Sequence, residues 1–206
     1  MKKVFFNQVF GFIILIFSVM TYVSCNNEKS NETTITDSTA THTVTDSTSA
    51  VIPDVAMVGH AEATLAGTYP DTTLTGSARF DTANGKVKMV LEITVAAKAG
   101  KEVAVHLHEH GDCGDNGKMA HGHWNPTNTQ HGKWGSASFH RGDIGNVKLD
   151  SKGKGRLEID TDLWTLGGSS DKNILGKAVI VHGGTDDYTT QPTGNAGSRI
   201  GCGVIQ

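Results

Sequence analysis

The segment HLHEHGDC, residues 106–113, carries three histidines at alternate positions. Alternate residues of a β-strand project from the same face, so His106, His108 and His110 are predicted to share one side of a strand. Strand faces are ordinarily rich in β-branched and aromatic side chains, whereas imidazole is a common ligand of copper and zinc. We therefore interpret His106 and His108 as adjacent positions that can bind one metal ion.

The other histidines concentrate in the same part of the chain, since eight of the ten lie between residues 106 and 182. His140 is followed three residues later by Asp143 in the motif HRGD, and an imidazole paired with a carboxylate suits zinc. A structural zinc site needs only about four ligands, so this cluster offers enough for two ions. The residues alone favour two neighbouring ions, one of them redox-active. The eight histidines are His106, His108, His110, His121, His123, His131, His140 and His182.

Short strands and glycine-rich turns must position these ligands. Residues 87–95 alternate apolar and polar side chains, which predicts a half-buried strand, and Asn84-Gly85 before it predicts a hairpin turn. Residues 145–160, GNVKLDSKGKGRLEID, are interpreted as a second hairpin, and residues 174–182, ILGKAVIVH, as a further strand. Two long polar loops lie at roughly 109–146 and 183–199. The pattern predicts an all-β fold, either a β-sandwich or a flattened barrel.

The charge balance and the N-terminal sequence limit the possible partners and the location of the protein. The chain has 18 Lys and Arg against 21 Asp and Glu, and this balance gives no indication of a nucleic-acid partner. A basic start, a long apolar run and Ser24-Cys25 predict an export signal over residues 1–25. The end of that run, YVSC, resembles a bacterial lipobox, in which Cys25 becomes lipidated. A cleaved secretory signal and an uncleaved membrane anchor are the alternatives.

Two segments follow the signal. Residues 26–53 are rich in Ser, Thr, Asn and Asp and contain no aromatic residue, so they are predicted to form a disordered tether. Residues 54–206 are predicted to be the folded domain. Its two cysteines, Cys113 and Cys202, suggest one disulfide in an exported protein, which leaves no thiolate for a zinc finger.

Six motifs together resemble the copper/zinc superoxide dismutase family, in the same order and across essentially all of residues 54–206. The motifs are HLHEHGDC, GHWNP, QHG, HRGDIGN, ILGKAVIVH and TGNAGSRIGCGVI. The resemblance implies a Greek-key β-barrel whose two long loops hold a copper ion and a zinc ion. It also implies the disproportionation of superoxide to dioxygen and hydrogen peroxide, as antioxidant defence outside the cytoplasm.

The resemblance implies a role for each residue of the site. His123 would bridge the two ions and take up a proton during the reaction, and Arg199 would attract and orient superoxide. Asp186 would link a copper-site histidine to a zinc-site histidine, and Cys113 and Cys202 would form the family's disulfide. The implied copper ligands are His106, His108, His123 and His182, and the implied zinc ligands are His123, His131, His140 and Asp143.

Two other functions are compatible with such a fold. A non-catalytic copper-storage domain would be expected to lack ligands or the arginine, and a zinc hydrolase would need an open zinc position. His110 is expected on or near the barrel surface and is not expected to bind metal directly. His121 is expected to be a solvated loop histidine, with a surface metal site as the alternative. Residues 183–198 contain no Lys or Arg, which leaves substrate steering open, and a homodimer is possible.

Overall fold

Eight antiparallel strands dominate the computed structural model, which describes residues 56–168 and 171–206. Short 3-10 helices span Ala96–Lys98 and Lys118–Ala120. The strands are β1 (His60–Gly67), β2 (Leu74–Ala83), β3 (Lys86–Val95), β4 (Glu102–His108), β5 (Gly145–Lys148), β6 (Lys154–Thr161), β7 (Ala178–His182) and β8 (Arg199–Val204).

The strands form one sheet that curls into a nearly closed barrel, in the order β5-β4-β7-β8-β1-β2-β3-β6. Its two edges meet, because a Cβ added to Gly155 on β6 would lie 2.7 Å from a methyl group of Val147 on β5. Non-consecutive neighbours such as β4 with β7 and β8 with β1 give the sheet Greek-key connections. The predicted all-β Greek-key barrel is confirmed.

The first hairpin follows the sequence pattern closely. In β3, the side chains of Val87, Met89 and Leu91 are buried in the core while Lys88 faces solvent, as the alternation predicts. Asn84 and Gly85 have φ values of 51° and 74°, the left-handed pair that a two-residue hairpin turn requires. The core also contains Phe80 and Trp164, whose rings meet edge to face at 6.2 Å.

The predicted second hairpin is wrong in its pairing. Strands do form at each end of residues 145–160, but β5 pairs with β4 and β6 pairs with β3, at opposite edges of the sheet. Asp150 stabilises the turn between them by accepting the N–H groups of Lys152 and Lys154. The hydrogen bonds of this turn are local, so the same turn can connect two strands of a hairpin or two strands at opposite edges of a barrel sheet.

Strands β4 and β7 carry buried side chains on both faces. Val105 and Leu107 of β4 point into the core, whereas His106 and His108 point to the outer wall. Two long loops, residues 109–144 and 183–198, connect the ends of β4 and β7 to the next strands. They agree with the predicted long loops to within two residues.

The predicted signal, the tether and Cys25 lie outside the described residues, so their interpretation stays a prediction. Within the described residues, the structure contains no helix that is long and apolar enough to span a membrane.

Candidate metal centre

Four imidazoles converge on the outer wall of the barrel. His106 and His108 come from β4, His182 ends β7, and His123 reaches them from the 109–144 loop, where it forms a single β-bridge with His108. All four side chains are buried. Each offers a ring nitrogen, and these four nitrogens lie within 4.8 Å of one another. The alternation of β4 thus brings His106 and His108 to one cluster, as predicted.

A second cluster lies beside the first and shares His123 with it. Its members His123, His131, His140 and Asp143 are buried, and their ligand atoms also lie within 4.8 Å of one another. Oδ1 of Asp143 lies 2.8 Å from His123 Nδ1 and 3.2 Å from His140 Nδ1, and Oδ2 lies 2.9 Å from His131 Nδ1. One imidazole therefore belongs to two four-membered ligand sets.

Backbone hydrogen bonds fix the Asp143 carboxylate in this position. The N–H groups of Gly132 and His140 donate to its Oδ2 at 3.1 and 2.7 Å. The loop motif HRGD turns back on itself through a bond from the Asp143 N–H to the His140 carbonyl at 3.0 Å. The sequence spacing of three residues thus places an imidazole and a carboxylate on one side of a tight turn.

The outward nitrogens of the rings are held by oxygen acceptors. His108 Nδ1 donates to the carbonyl of His121 at 2.8 Å, His182 Nδ1 to that of Gly197 at 3.3 Å, and His140 Nε2 to that of Thr129 at 3.2 Å. Such contacts set the tautomer and ring orientation of metal-binding histidines. The inward nitrogens are left with their lone pairs directed into the clusters.

Several inward nitrogens have no hydrogen-bond partner among the described residues. These buried atoms are His106 Nδ1, His123 Nε2, His131 Nδ1 and His140 Nδ1, of which the last two lie 2.9 and 3.2 Å from Asp143 oxygens without forming a hydrogen bond. A buried polar atom without a partner is costly, so four of them converging in two clusters need an explanation. Metal coordination supplies one, because all-imidazole sites suit copper or zinc and imidazoles with a carboxylate suit zinc.

Asp186 connects the two clusters from outside. Its carboxylate accepts a hydrogen bond from His106 Nε2 at 2.9 Å and another from His131 Nε2 at 2.8 Å. The loop packs tightly around this link, because a Cβ at Gly194, whose φ is 65°, would overlap the Asp186 carboxylate. The position therefore requires glycine, and the two clusters are coupled through one buried carboxylate.

Burial and charge separate the pKa values of the histidines. Burial lowers the pKa of His123 to about 4 against the opposing hydrogen bond to Asp143, and burial with the nearby His106 lowers that of His182 to about 3. Burial also lowers the pKa of His131, but the close carboxylates of Asp143 and Asp186 outweigh it and raise the value to about 9. At neutral pH, His123 and His182 are therefore neutral, the form that binds metal.

Arg199 is fixed beside the all-imidazole cluster. Its Nη1 and Nη2 donate to the carbonyls of Gly117 and His121 at 2.6 and 2.5 Å, and burial lowers its pKa from the ordinary arginine value. After burial and neighbouring histidines, the charge of Arg199 also contributes to the lowered pKa values of His108 and His182. A cation thus lies within electrostatic reach of the cluster.

A disulfide joins the loop to the strand that carries Arg199. Cys113 and Cys202 are bonded, with their Cα atoms 5.8 Å apart, as predicted. A small apolar cluster of Ala120, Ala178 and Ile180 packs with the bridge on the outer wall. The loop carbonyls that hold Arg199 lie in the segment that this bridge anchors.

The backbone part of the site was not predicted from the sequence. The carbonyl of His121 accepts hydrogen bonds from both His108 and Arg199, so this peptide joins the cluster to the cation. No side-chain type signals a carbonyl acceptor in advance. The rings of His110 and His121 are exposed and belong to neither buried cluster, in line with the expectation for each.

An antiparallel barrel with two buried ligand clusters that share a histidine defines a class of two-metal β-barrel proteins. The profile described as copper/zinc superoxide dismutase (SODC) matches residues 74–205. The chain belongs to the copper/zinc superoxide dismutase family. Membership implies copper and zinc as cofactors, and the two clusters fit them.

Individual relatives agree with this assignment. Superoxide dismutase [Cu-Zn] 2 of Aquifex aeolicus is 42% identical over 110 residues, 51% of this chain and 64% of the relative. Extracellular superoxide dismutase [Cu-Zn] of Caenorhabditis elegans is 34% identical over 146 residues, 68% of this chain and 64% of the relative. The chain thus spans just under two thirds of each relative's length. A crystal structure titled as the clock protein EA4 aligns with TM-score 0.63 and 34% identity, covering 73% of this chain and 95% of that one.

Proposed function

We propose that the protein disproportionates superoxide to dioxygen and hydrogen peroxide at a histidine-bridged copper/zinc site. The observation that carries the proposal is His123, a single buried imidazole shared by two four-membered ligand sets. The copper set would be His106, His108, His123 and His182, and the zinc set would be His123, His131, His140 and Asp143. When bound, copper supplies the one-electron couple that oxidises one superoxide and reduces the next.

The chain's own residues would position the substrate and deliver a proton. Superoxide is a small anion, so a fixed cation recognises it better than a shaped apolar pocket. Arg199 suits this role because two carbonyls aim its guanidinium. His123 Nε2, which is buried and without a hydrogen-bond partner among the described residues, is the atom that would hold and release a proton. Asp186 would hold the two ligand sets in a fixed position relative to each other.

Two lysines compete with Arg199 as the guiding charge. Lys118 is exposed and forms an ion pair with Asp115 at 3.5 Å. The Lys133 ammonium lies 5.9 Å from the centre of the Tyr188 ring. Lys118 shares its charge with a carboxylate, and no contact in the described part of the chain holds Lys133 beside the clusters, whereas two neutral carbonyls hold the guanidinium of Arg199 next to the all-imidazole cluster with its whole charge.

Replacing Arg199 by isoleucine tests the steering role. We expect Arg199→Ile to lower the second-order rate constant at least about tenfold with both metals still bound, because steering by an arranged field raises association rates by roughly 10 to 10³-fold. Most of the salt dependence of the rate should also disappear, since screening acts on the lost charge. Stopped-flow measurements at low and high ionic strength provide both quantities.

Arg79→Ile is the matched control, because it removes one positive charge from the exposed face of β2, where Arg79 pairs with Glu92. Its rate and salt dependence should stay close to those of the wild type. A steep salt dependence retained in Arg199→Ile would assign the guiding role to Lys118, Lys133 or another cation.

We propose an extracytoplasmic, lipid-anchored location, with Cys25 lipidated and residues 26–53 as the tether. The disulfide supports export, because such bonds persist in oxidising compartments. The similarity to the extracellular superoxide dismutase [Cu-Zn] of Caenorhabditis elegans supports it too. A homodimer stays a prediction from the resemblance, and sedimentation of the purified protein tests it.

Cys25→Ala should release the protein from membranes or leave its signal uncleaved. The physical reason is that two or more acyl chains anchor a protein stably, while one binds a bilayer only weakly. Membrane fractionation and the mass of the purified chain measure both outcomes. A variant with unchanged membrane association and unchanged mass would show that Cys25 carries no lipid.

A further inference from the structure

A third group of ligand side chains lies on the surface, outside both buried clusters. Glu109, His110 and His121 each offer a ligand atom, and these atoms lie within 4.8 Å of one another. The ring centroids of the two histidines are 4.4 Å apart, with their planes tilted by 60°. All three residues are exposed, so an ion from solvent can reach them.

Backbone hydrogen bonds hold the segments that carry these residues side by side. The bridge between His108 and His123 continues outward, because the Glu109 N–H donates to the Gly122 carbonyl at 3.1 Å and the His110 N–H donates to the Ala120 carbonyl at 3.2 Å. The segments that carry His110 and His121 are therefore paired directly. Their two imidazoles meet because the ribbon places them side by side, which lowers the entropy cost of binding one ion.

The backbone of His121 is unusual for a residue with a side chain. Its φ of 62° and ψ of −143° lie close to a region that is essentially restricted to glycine, so a side chain there is strained. The conformation aims the His121 carbonyl at His108 and Arg199, and glycine would adopt it without strain. Compared with glycine, a histidine at position 121 adds an imidazole beside that of His110.

We propose that Glu109, His110 and His121 form a third metal site, which binds one divalent transition ion at the protein surface. Two imidazoles and a carboxylate suit copper and zinc, and Cu²⁺ is favoured because affinities of such ligands follow the Irving–Williams order. The ion would bind the imidazole of His121, whose backbone carbonyl accepts hydrogen bonds from His108 and Arg199. The site is independent of the proposed dismutase activity, since none of its side chains belongs to a buried cluster.

The test is a titration of the purified protein, already loaded with copper and zinc, with further Cu²⁺. Calorimetry gives the affinity, copper EPR counts the added ion, and elemental analysis after desalting measures retained zinc. We expect one additional Cu²⁺ per chain with nitrogen hyperfine structure and no loss of zinc. His110→Ala and His121→Gly should each weaken this binding at least about tenfold, as loss of a metal ligand or of its support does.

His121→Gly is the more informative variant, because glycine suits the backbone at this position and keeps the carbonyl that holds Arg199. His60→Ala is the matched control, since His60 is an exposed histidine that lies 2.8 Å from the Asp81 carboxylate without a second imidazole. Its binding of the added ion should be unchanged. The proposal is overturned if no additional ion binds, if the ion binds His110→Ala and His121→Gly as tightly as it binds the wild type, or if zinc leaves as Cu²⁺ enters.

Discussion

Asp143→Ala should lower the affinity for zinc by at least about 100-fold, the upper end of what loss of a supporting group costs, while copper stays bound. Asp143 is the single carboxylate of its cluster, and its oxygens lie within 3.2 Å of three histidine nitrogens. It also accepts two backbone hydrogen bonds, so its loss frees the HRGD turn as well. Competition with a chromophoric zinc chelator measures the affinity, and elemental analysis measures copper.

Asp160→Ala is the control for this change. Asp160 is an exposed carboxylate on β6 that pairs with Lys86 at 3.6 Å and belongs to neither cluster. Its removal should leave zinc affinity unchanged. If Asp143→Ala kept wild-type zinc affinity, or if it lost copper and zinc together, the assignment of separate copper and zinc sets would be wrong.

Removal of the disulfide should reduce the free energy of unfolding by about 4–5 kcal/mol, because the bond closes a loop of 89 residues. The variant is Cys113→Ala with Cys202→Ala, which avoids placing a hydroxyl at the buried position 202. Equilibrium denaturation in chelator measures the difference, since bound metal would otherwise add to the stability of the folded state. Activity should fall too, as the loop that holds Arg199 loses its anchor.

The wild-type protein in reductant serves as the internal control for the disulfide. Its stability should fall to that of the double variant, while the double variant should not respond to reductant. Titration of free thiols in the denatured, unreduced protein should find neither Cys113 nor Cys202. A loss of stability below about 1 kcal/mol would show that the bond does not restrict the unfolded chain as the loop-entropy account requires.

The sequence predicts those parts of the site that side-chain identity encodes. His106 and His108 follow from strand alternation, and His140 with Asp143 follows from a turn of three residues. His123 and His131 lie elsewhere in the 109–144 loop, separated from these in sequence, and only the family resemblance implied their places. The structure brings all of them together in two sets.

Other features depend on tertiary packing and were not predictable. The turn at Asp150 uses local hydrogen bonds that hairpins and barrel corners share, so the pairing of β5 with β4 was missed. The carbonyl of His121 acts through its backbone conformation, which its side chain does not reveal. Gly194 is one of 25 glycines, and only its contact with Asp186 shows why it must be glycine.

The central claim is that one imidazole serves two metal sites. Its most direct test is the EPR spectrum and metal content of the purified protein, with cobalt substituted for zinc beside copper. We expect one copper and one cobalt per chain in the buried clusters, with magnetic coupling that disappears in His123→Ala. Independent spectra of two uncoupled ions in the wild-type protein, or a single buried ion per chain at full loading, would contradict the shared ligand and with it the proposed copper/zinc site.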